Sequence, residues 1–122
     1  MWNKPTTKEL SKIPGLYSAE HVPLKEKVIY VHFFLGGCDW YASEYEPKDR
    51  LFFGFAILNN DLEMAEWGYF SLEELASLKV QFLEVDRDIH FTPTKAIDIE
   101  NIRRAQGWEK GESRECETKK QD

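Results

Sequence analysis

The stretch from Val28 to Phe70 constrains the fold of this chain most strongly, because it reads as successive β-strands joined by short turns. Apolar or alternating runs that fit strands occupy residues 28–35, 40–45, 51–58 and 65–70. The segments between the first three runs and before the last contain the glycine, proline, asparagine and aspartate that hairpin loops favour: residues 36–39, 46–50 and 59–61. The sequence therefore predicts an antiparallel meander.

The side chains along these runs indicate where each strand lies in the sheet. The first run carries apolar bulk on both faces, so we expect it to be a central strand. The second run mixes rings with Ser43 and Glu44, which is typical of a half-exposed strand. In the third run, Gly54 and Ala56 leave one face open to close approach, either by a covering helix or by a ligand.

Helix signals flank the meander. Two residue pairs have the spacing at which a hydroxyl and a carboxylate satisfy each other's free amides at a helix start: Thr6 with Glu9, and Ser71 with Glu74. They predict helices over residues 7–13 and 72–78. Residues 16–27 contain Pro23 and read as an irregular connector along a sheet edge.

The last part of the chain predicts one more strand and one more helix. Polar and apolar residues alternate over residues 81–91, which predicts a fifth strand with one hydrated face. Residues 96–106 place Ile99 and Ile102 on one stripe and predict a helix that Gly107 ends.

The order of these elements predicts the fold class. Strands come first and a helix follows only after the fourth strand, which excludes alternating parallel βαβ units. We therefore expect an α+β fold, a single domain in which an antiparallel meander of about five strands carries two or three helices packed on one face. Residues 1–107 form this domain, and residues 108–122 read as a disordered polar tail.

Charge and composition limit the partners and the location. The chain has 22 acidic and 16 basic side chains and a net charge of −6, which disfavours binding to nucleic-acid phosphates. No apolar run approaches the roughly 20 residues that cross a bilayer. Two cysteines, Cys38 and Cys116, do not make a disulfide framework and fit reduced thiols. We expect a cytoplasmic protein without a membrane partner.

One pattern suggests a metal site. Glu84, Asp86, Asp88 and His90 follow at intervals of two, so a continuous strand would place all four on one face. Oxygen ligands of this kind hold Mg²⁺ or Mn²⁺, and neighbours about 7 Å apart along a strand could share one ion. The alternative is a solvated strand face whose charges discourage pairing at the sheet edge. We adopt this second interpretation, because no glycine-rich phosphate loop or second acidic motif accompanies the row, and we therefore expect no cofactor.

No residue pattern identifies a catalytic group. His32 lies in an apolar run, where a lone histidine is more often a hydrogen-bonded core residue than a general base. Cys38 follows two glycines in a turn and has no histidine close behind it. The sequence contains no phosphate loop, dinucleotide fingerprint or paired CxxC motif. We therefore predict no catalytic residue.

A second pattern suggests a binding surface. Aromatic and acidic residues are interleaved in the meander: Asp39, Trp40, Tyr41, Glu44, Tyr45, Glu66, Trp67 and Tyr69. If they share an exposed edge, the surface suits a basic protein partner, or it imitates DNA towards a DNA-binding protein. The alternative is that the rings fill the core while the acids face water.

Several segments of the chain resemble a family catalogued as domain of unknown function 2958. The matching segments are MWNKP (1–5), HFFLGG (32–37), DWY (39–41), RLFFG (50–54), AEWGY (65–69) and EVDRD (84–88). The resemblance covers about residues 1–102. It implies a small bacterial cytoplasmic protein carried on plasmids, conjugative elements or phages, in some cases beside antirestriction genes. It implies no activity and no catalytic residues.

These observations support three hypotheses about function. The first is a non-enzymatic interaction module of a mobile element, which counters host defence or assists element maintenance. The second is a metal-dependent hydrolase or nuclease that acts through Glu84, Asp86 and Asp88. The third is a single-stranded nucleic-acid binder that stacks bases on Trp40, Tyr41 and Phe52, which the net charge disfavours.

Overall fold

The computed structural model describes residues 2–80 and 83–108. Its strands, in chain order, are β1 (Val28–Ile29), β2 (Val31–Leu35), β3 (Cys38–Glu46), β4 (Leu51–Ile57), β5 (Glu66–Ser71), β6 (Lys79–Val80), β7 (Leu83–Glu84), β8 (Asp86–Arg87) and β9 (Thr94–Lys95). Its α-helices are α1 (Thr7–Leu10), α2 (Leu72–Ser77) and α3 (Glu100–Gln106), and short 3₁₀ turns cover Leu24–Glu26 and Ala96–Asp98.

The main sheet has five antiparallel strands in the order β5-β4-β3-β2-β8. Strands β2 to β5 are neighbours both in the chain and in the sheet, so the predicted meander is confirmed. Two small antiparallel ladders, β1 with β9 and β6 with β7, lie beside it. The fold is α+β, as the order of the elements predicts.

The central strand is β3, and not the run 28–35 whose apolar residues on both faces predict a central position. That run breaks at Tyr30 into β1 and β2, and β2 lies next to the edge strand β8. The expectation of a half-exposed second strand was wrong, because β3 is buried from Trp40 to Tyr45. Its polar residues Ser43 and Glu44 are inside the protein and are hydrogen-bonded there, Ser43 to Val28 and Glu44 to Tyr17 and Lys27.

Both faces of the sheet are covered, so the expectation of helices on one face was wrong. On the face that we call the first face, α1 and α2 pack against core rings, chiefly Phe33, Trp40, Phe52 and Phe70. On the opposite side, the second face, α3 contributes Ile102 to a cluster with Tyr41 and Phe55. Side chains of β3 are therefore buried whichever face of the sheet they point to.

The predicted fifth strand is present in the main sheet as β8, but the prediction of one continuous strand over residues 81–91 was wrong. Gln81 and Phe82 lie outside the described residues, and the rest divides into β7, β8 and a turn. The carboxylates of Asp86 and Asp88 accept hydrogen bonds from the main-chain N–H of Arg87 (2.8 Å) and His90 (3.0 Å). The Asp88 bond lies in the turn that follows β8 and competes with further strand pairing there. Upstream, the run is divided because β7 pairs with β6, whereas β8 pairs with β2.

Both predicted capping boxes are present. Glu9 N–H donates to Thr6 Oγ1 (3.1 Å), and Glu74 N–H donates to Ser71 Oγ (3.0 Å). The carboxylate of each glutamate in turn accepts a hydrogen bond from the main-chain N–H of the same threonine or serine. The helix predicted over residues 96–106 is divided at Ile99, whose extended backbone separates the 3₁₀ turn Ala96–Asp98 from α3. Helix α3 ends at Gly107 in the left-handed conformation, as predicted.

The domain extends slightly further than expected. Trp108, assigned to the tail from the sequence, packs against the core cluster of the second face. The expected disordered tail otherwise lies at residues 109–122, outside the described residues. None of the helices in the described chain is both long and apolar enough to cross a membrane.

Gly54 explains how β3 and β4 come together. A Cβ at this position would lie 1.9 Å from the carbonyl oxygen of Tyr41, in the neighbouring strand. The close approach anticipated at Gly54 is therefore made by the main chain of β3 rather than by a helix or a ligand. Its cross-strand partner Gly68, in β5, has open space around the same point.

We predict that Gly54→Ala destabilises the protein by about 3 kcal/mol or more, because strand backbone cannot yield as a flexible side chain can. Gly68→Ala is the matched control and should be neutral or slightly stabilising, since an alanine restricts the unfolded chain. Urea denaturation of the two variants measures the difference. Equal stabilities would show that β3 and β4 do not approach this closely.

Candidate functional site

A β-bulge in β3 builds the candidate site. The pairing of β3 with β4 runs regularly to Ala42 opposite Gly54, and resumes with Glu44 opposite Phe53, so that Ser43 is the extra residue. Ser43 Oγ donates to the carbonyl oxygen of Val28 (2.9 Å), which satisfies the buried hydroxyl. Because a bulge shifts the alternation by one, Glu44 points to the second face.

The bulge places Glu44 in a row that crosses three strands. Glu44 in β3 is opposite Phe53 in β4, and Phe53 is opposite Tyr69 in β5. Residues 17–24 of the connector form the other wall. The resulting pocket has a volume of about 440 Å³, and its chemistry comes mainly from Tyr17, Glu20, Lys27, Glu44, Phe53 and Tyr69.

An ion pair lies at the floor of this pocket. Lys27 Nζ is 3.4 Å from Glu44 Oε2, and the two side chains are only 5% and 4% exposed. Lys27 Nζ also donates to the carbonyl oxygen of Ala19 (2.6 Å) and stands 5.8 Å from the centre of the Phe53 ring. Buried charges are rare unless they are paired, and these two are the buried charged residues of the described chain.

The connector is tied to the same carboxylate. The N–H of Tyr17 donates to Glu44 Oε1 (2.9 Å), and Tyr17 adopts a left-handed backbone with φ of 68°. This conformation is uncommon for a large side chain and persists only where the surroundings hold it. Glu44 therefore fixes the wall of the pocket as well as its floor.

A hydrogen-bonded pair of phenols lies at the mouth of the pocket. A hydrogen bond with Tyr17 is the main reason that the pKa of the Tyr69 phenol is raised, followed by partial desolvation and by the charges of Glu44 and Glu20. Tyr69 and Tyr17 are 52% and 61% exposed. Two accessible phenols thus stand over a buried carboxylate.

A second cavity of about 460 Å³ lies on the first face, between α1 and the start of α2. Its floor is apolar and includes Leu10, Tyr45 and Leu72. No buried charged side chain lines it. The pocket at Glu44 is therefore the better candidate, because polar groups placed in an apolar concavity are what orient a ligand.

The eight residues predicted to share an exposed surface do not do so. Trp40, Tyr41 and Tyr45 are buried in the core, and Glu44 is buried with Lys27. Asp39 and Trp67 are partly buried, whereas Glu66 and Tyr69 are exposed. The rings mostly fill the core, as the alternative interpretation of this pattern predicts. Of the eight residues, Glu44 and Tyr69 line the pocket.

The rings proposed for base stacking are also inside. Trp40 is 6% exposed, Tyr41 3% and Phe52 0%. A base needs an accessible ring face on which to stack. The described chain therefore does not present these three rings as a platform.

The structure separates the residues of the proposed metal row. Asp86 binds the N-terminal segment, where its Oδ1 accepts from Asn3 N–H (2.7 Å) and from Asn3 Nδ2 (2.9 Å). Asp88 faces His32, His90 is exposed and Glu84 ends β7. Among the described residues, no group of three histidine, cysteine or acidic side chains is arranged to hold a metal ion. The Mg²⁺ or Mn²⁺ hypothesis gains no geometric support.

His32 lies on the second face between two carboxylates, an arrangement that the sequence patterns do not predict. His32 Nε2 is 2.7 Å from Asp39 Oδ1, and His32 Nδ1 is 3.8 Å from Asp88 Oδ2. The two carboxylates lie on opposite sides of the ring, so they cannot share one ion with it. His32 also stacks on Tyr41, with ring centres 4.5 Å apart. Only the pairing of β2 with β3 brings His32 and Asp39 together, which the spacing in sequence does not reveal.

Glu44→Ala is predicted to destabilise the protein by about 3–5 kcal/mol, because it leaves the ammonium of Lys27 buried without its counter-charge. Glu44→Gln should cost less, since the amide oxygen still accepts from Tyr17 N–H. Urea denaturation measures both. A loss below about 1 kcal/mol for Glu44→Ala would mean that the pair is hydrated.

High pH should reveal the burial of Tyr41. The pKa of the Tyr41 phenol is raised to about 12, chiefly by desolvation. The hydrogen bond from Asn101 lowers the pKa, and the charges of Asp39 and Asp88 contribute to raising it. An unfolded tyrosine ionises near pH 10. Its stabilising contribution is therefore complete below about pH 10 and is lost as the pH rises towards 12.

We expect Tyr41→Phe to lose less stability than the parent between these pH values, as measured by denaturation at each pH. Some loss should remain, since the pKa of Tyr45 is also raised, chiefly by burial. Identical pH profiles of parent and variant would contradict the burial of this phenol.

Comparison with known proteins places the chain in a family. Searches of curated proteins and of solved structures found no match. A family model matches residues 17–107, so the N-terminal segment that contributed to the resemblance lies outside the match. The matched part begins at Tyr17 and includes every residue of the pocket. Because it spans well over half of the chain, the protein belongs to the family described as "Protein of unknown function (DUF2958)".

Proposed function

We propose that this protein is a recognition module without catalytic activity, and that it binds a basic protein partner by accepting an arginine or lysine side chain in the pocket at Glu44. The observation that carries this proposal is a carboxylate, on a side chain only 4% exposed, at the base of an open cavity walled by aromatic rings. Such a site combines a charge for a cation with apolar faces for its hydrocarbon stem.

Glu44 retains capacity for another donor. A carboxylate has about four acceptor positions, and Tyr17 and Lys27 occupy one each. The distance of 3.4 Å to Lys27 exceeds the roughly 2.7–2.9 Å of a strong charged hydrogen bond. An incoming guanidinium could therefore share Glu44 with Lys27 rather than displace it.

The aromatic walls favour the same ligand. Phe53 and Tyr69 are partners across β4 and β5, with ring centres 5.2 Å apart. Ring faces attract cations, most strongly guanidinium and ammonium groups that leave part of their water behind. Glu20 adds a second carboxylate to the lining, so that Lys27 balances only one of two negative charges.

The charge of the whole chain acts in the same direction. A net charge of −6 attracts a basic protein at long range and speeds their encounter. A DNA-binding protein is one such partner. Given the resemblance to proteins of mobile elements, we propose that binding serves anti-defence, antirestriction or element maintenance.

We also propose that this happens in the cytoplasm. The proposal rests on the two cysteines of the sequence, one of which, Cys38, is a free thiol.

The test is an NMR titration of the full chain with N-acetyl-arginine amide and, separately, with N-acetyl-glutamate amide as the matched probe of opposite charge. We expect the arginine probe to shift the ring signals of Phe53, Tyr69 and Tyr17, and the glutamate probe to leave them in place. Glu44→Gln, which keeps the shape of the pocket, should weaken the arginine response about tenfold.

Two results would contradict the proposal. Equal shifts with both probes would show that charge does not select the ligand. Unchanged arginine binding by Glu44→Gln would remove the carboxylate from the site.

A further inference from the structure

We infer that the partner binds as an extended peptide segment that pairs with the open edge of β5 and thereby adds a strand to the sheet. The inference rests on the proposed function for the basic residue of that segment, and on the sheet itself for the mode of binding. Strand addition gives affinity through main-chain hydrogen bonds, while alternate side chains provide selectivity.

The hydrogen bonding of β5 shows which of its amides point outwards. Leu72 N–H donates to the carbonyl oxygen of Arg50 (2.9 Å), which makes residues 72 and 50 a hydrogen-bonded pair. Because hydrogen-bonded pairs alternate along antiparallel strands, Phe70 and Gly68 also bond to β4. The main-chain N–H and C=O groups of Trp67 and Tyr69 therefore point away from β4, and no strand of the described chain pairs with that edge.

Apart from the charge of Glu66 at its start, β5 lacks the features that usually prevent strand addition. Edge strands are commonly interrupted by proline, lysine or a bulge. β5 contains none of these, and all six of its residues pair with β4 in unbroken register. Gly68, in the middle, has nothing within 4 Å of its Cβ position. The outward main-chain groups of Trp67 and Tyr69 therefore belong to a regular edge strand without a break.

The register connects this edge to the pocket. Glu44, Phe53 and Tyr69 form one row on the second face, and an added strand would extend the row by one residue opposite Tyr69. That residue would lie roughly 5 Å from Tyr69 and three strand spacings, roughly 14 Å, from Glu44. Extended arginine and glutamate side chains together cover most of this distance.

Charge identifies the occupant. β5 itself carries one charged residue, Glu66, and the pocket beyond it contains Glu44 and Glu20. A partner strand with arginine or lysine opposite Tyr69 is complementary to this surface. A second copy of β5 would bring no cation to the pocket, so self-pairing is the competing outcome.

The test is residue-specific amide hydrogen exchange of the full chain, followed by NMR with and without a synthetic peptide. The probe has eight residues, alternating threonine and valine, with one arginine at its centre. We expect the amides of Trp67 and Tyr69 to exchange about tenfold more slowly with peptide. The amides of Gly68 and Phe70 are internal controls, since β4 protects them in both samples.

A variant pair separates the main chain from the side chain of Tyr69. Tyr69→Pro removes the outward N–H, which an edge strand tolerates, whereas Tyr69→Ala removes only the ring. We expect Tyr69→Pro to bind the peptide less tightly than Tyr69→Ala. Absence of peptide binding, binding without protection of Trp67 and Tyr69, or protection of both amides in the free protein at high concentration would each overturn strand addition.

The pocket and the edge can fail independently. A peptide with glutamine in place of arginine that protects the same amides equally well would support strand addition and contradict cation recognition. Shifts with N-acetyl-arginine amide, combined with no protection by the peptide, would support the pocket and contradict the strand.

Discussion

The bulge at Ser43 is the constraint on which the rest of the structure depends. β3 is the central strand, and a regular strand would send Glu44 to the same face as Trp40 and Ala42. The extra residue instead turns Glu44 towards Lys27 and Tyr45 towards the aromatic core. Gly54 allows the backbone of β3 to come close at this point. One inserted residue therefore completes the core of the first face and creates the pocket of the second.

The fold was largely accessible from local sequence patterns. Hairpin turns, the pairs Thr6 with Glu9 and Ser71 with Glu74, and the terminal Gly107 all act over a few residues, and each is where it was predicted. The predictions failed where contacts between distant parts of the chain determine the position of a strand. The position of the central strand depends on the pairing of β3 on both sides, and the predicted fifth strand is divided because β7 pairs with β6 while β8 pairs with β2.

The candidate site was harder to predict than the fold. Aromatic residues interleaved with acids look the same in sequence whether the rings or the acids are inside. Here the rings of Trp40, Tyr41 and Tyr45 are inside, and so is one acid, because Lys27 and the N–H of Tyr17 satisfy Glu44. No pattern in the sequence links Lys27 to Glu44. A bulge has no fixed sequence signature, so the shift in alternation that joins them becomes visible only in three dimensions.

The most direct measurement for this account is a set of nuclear Overhauser contacts across β3 and β4 in solution. The bulged register predicts contacts of the Glu44 side chain with the Phe53 ring, and of the Tyr45 ring with the Phe52 ring, whose centres are 4.7 Å apart. A regular register would pair Glu44 with Phe52 and Tyr45 with Leu51. Those contacts would place Glu44 in the core of the first face, and the pocket described here would not exist.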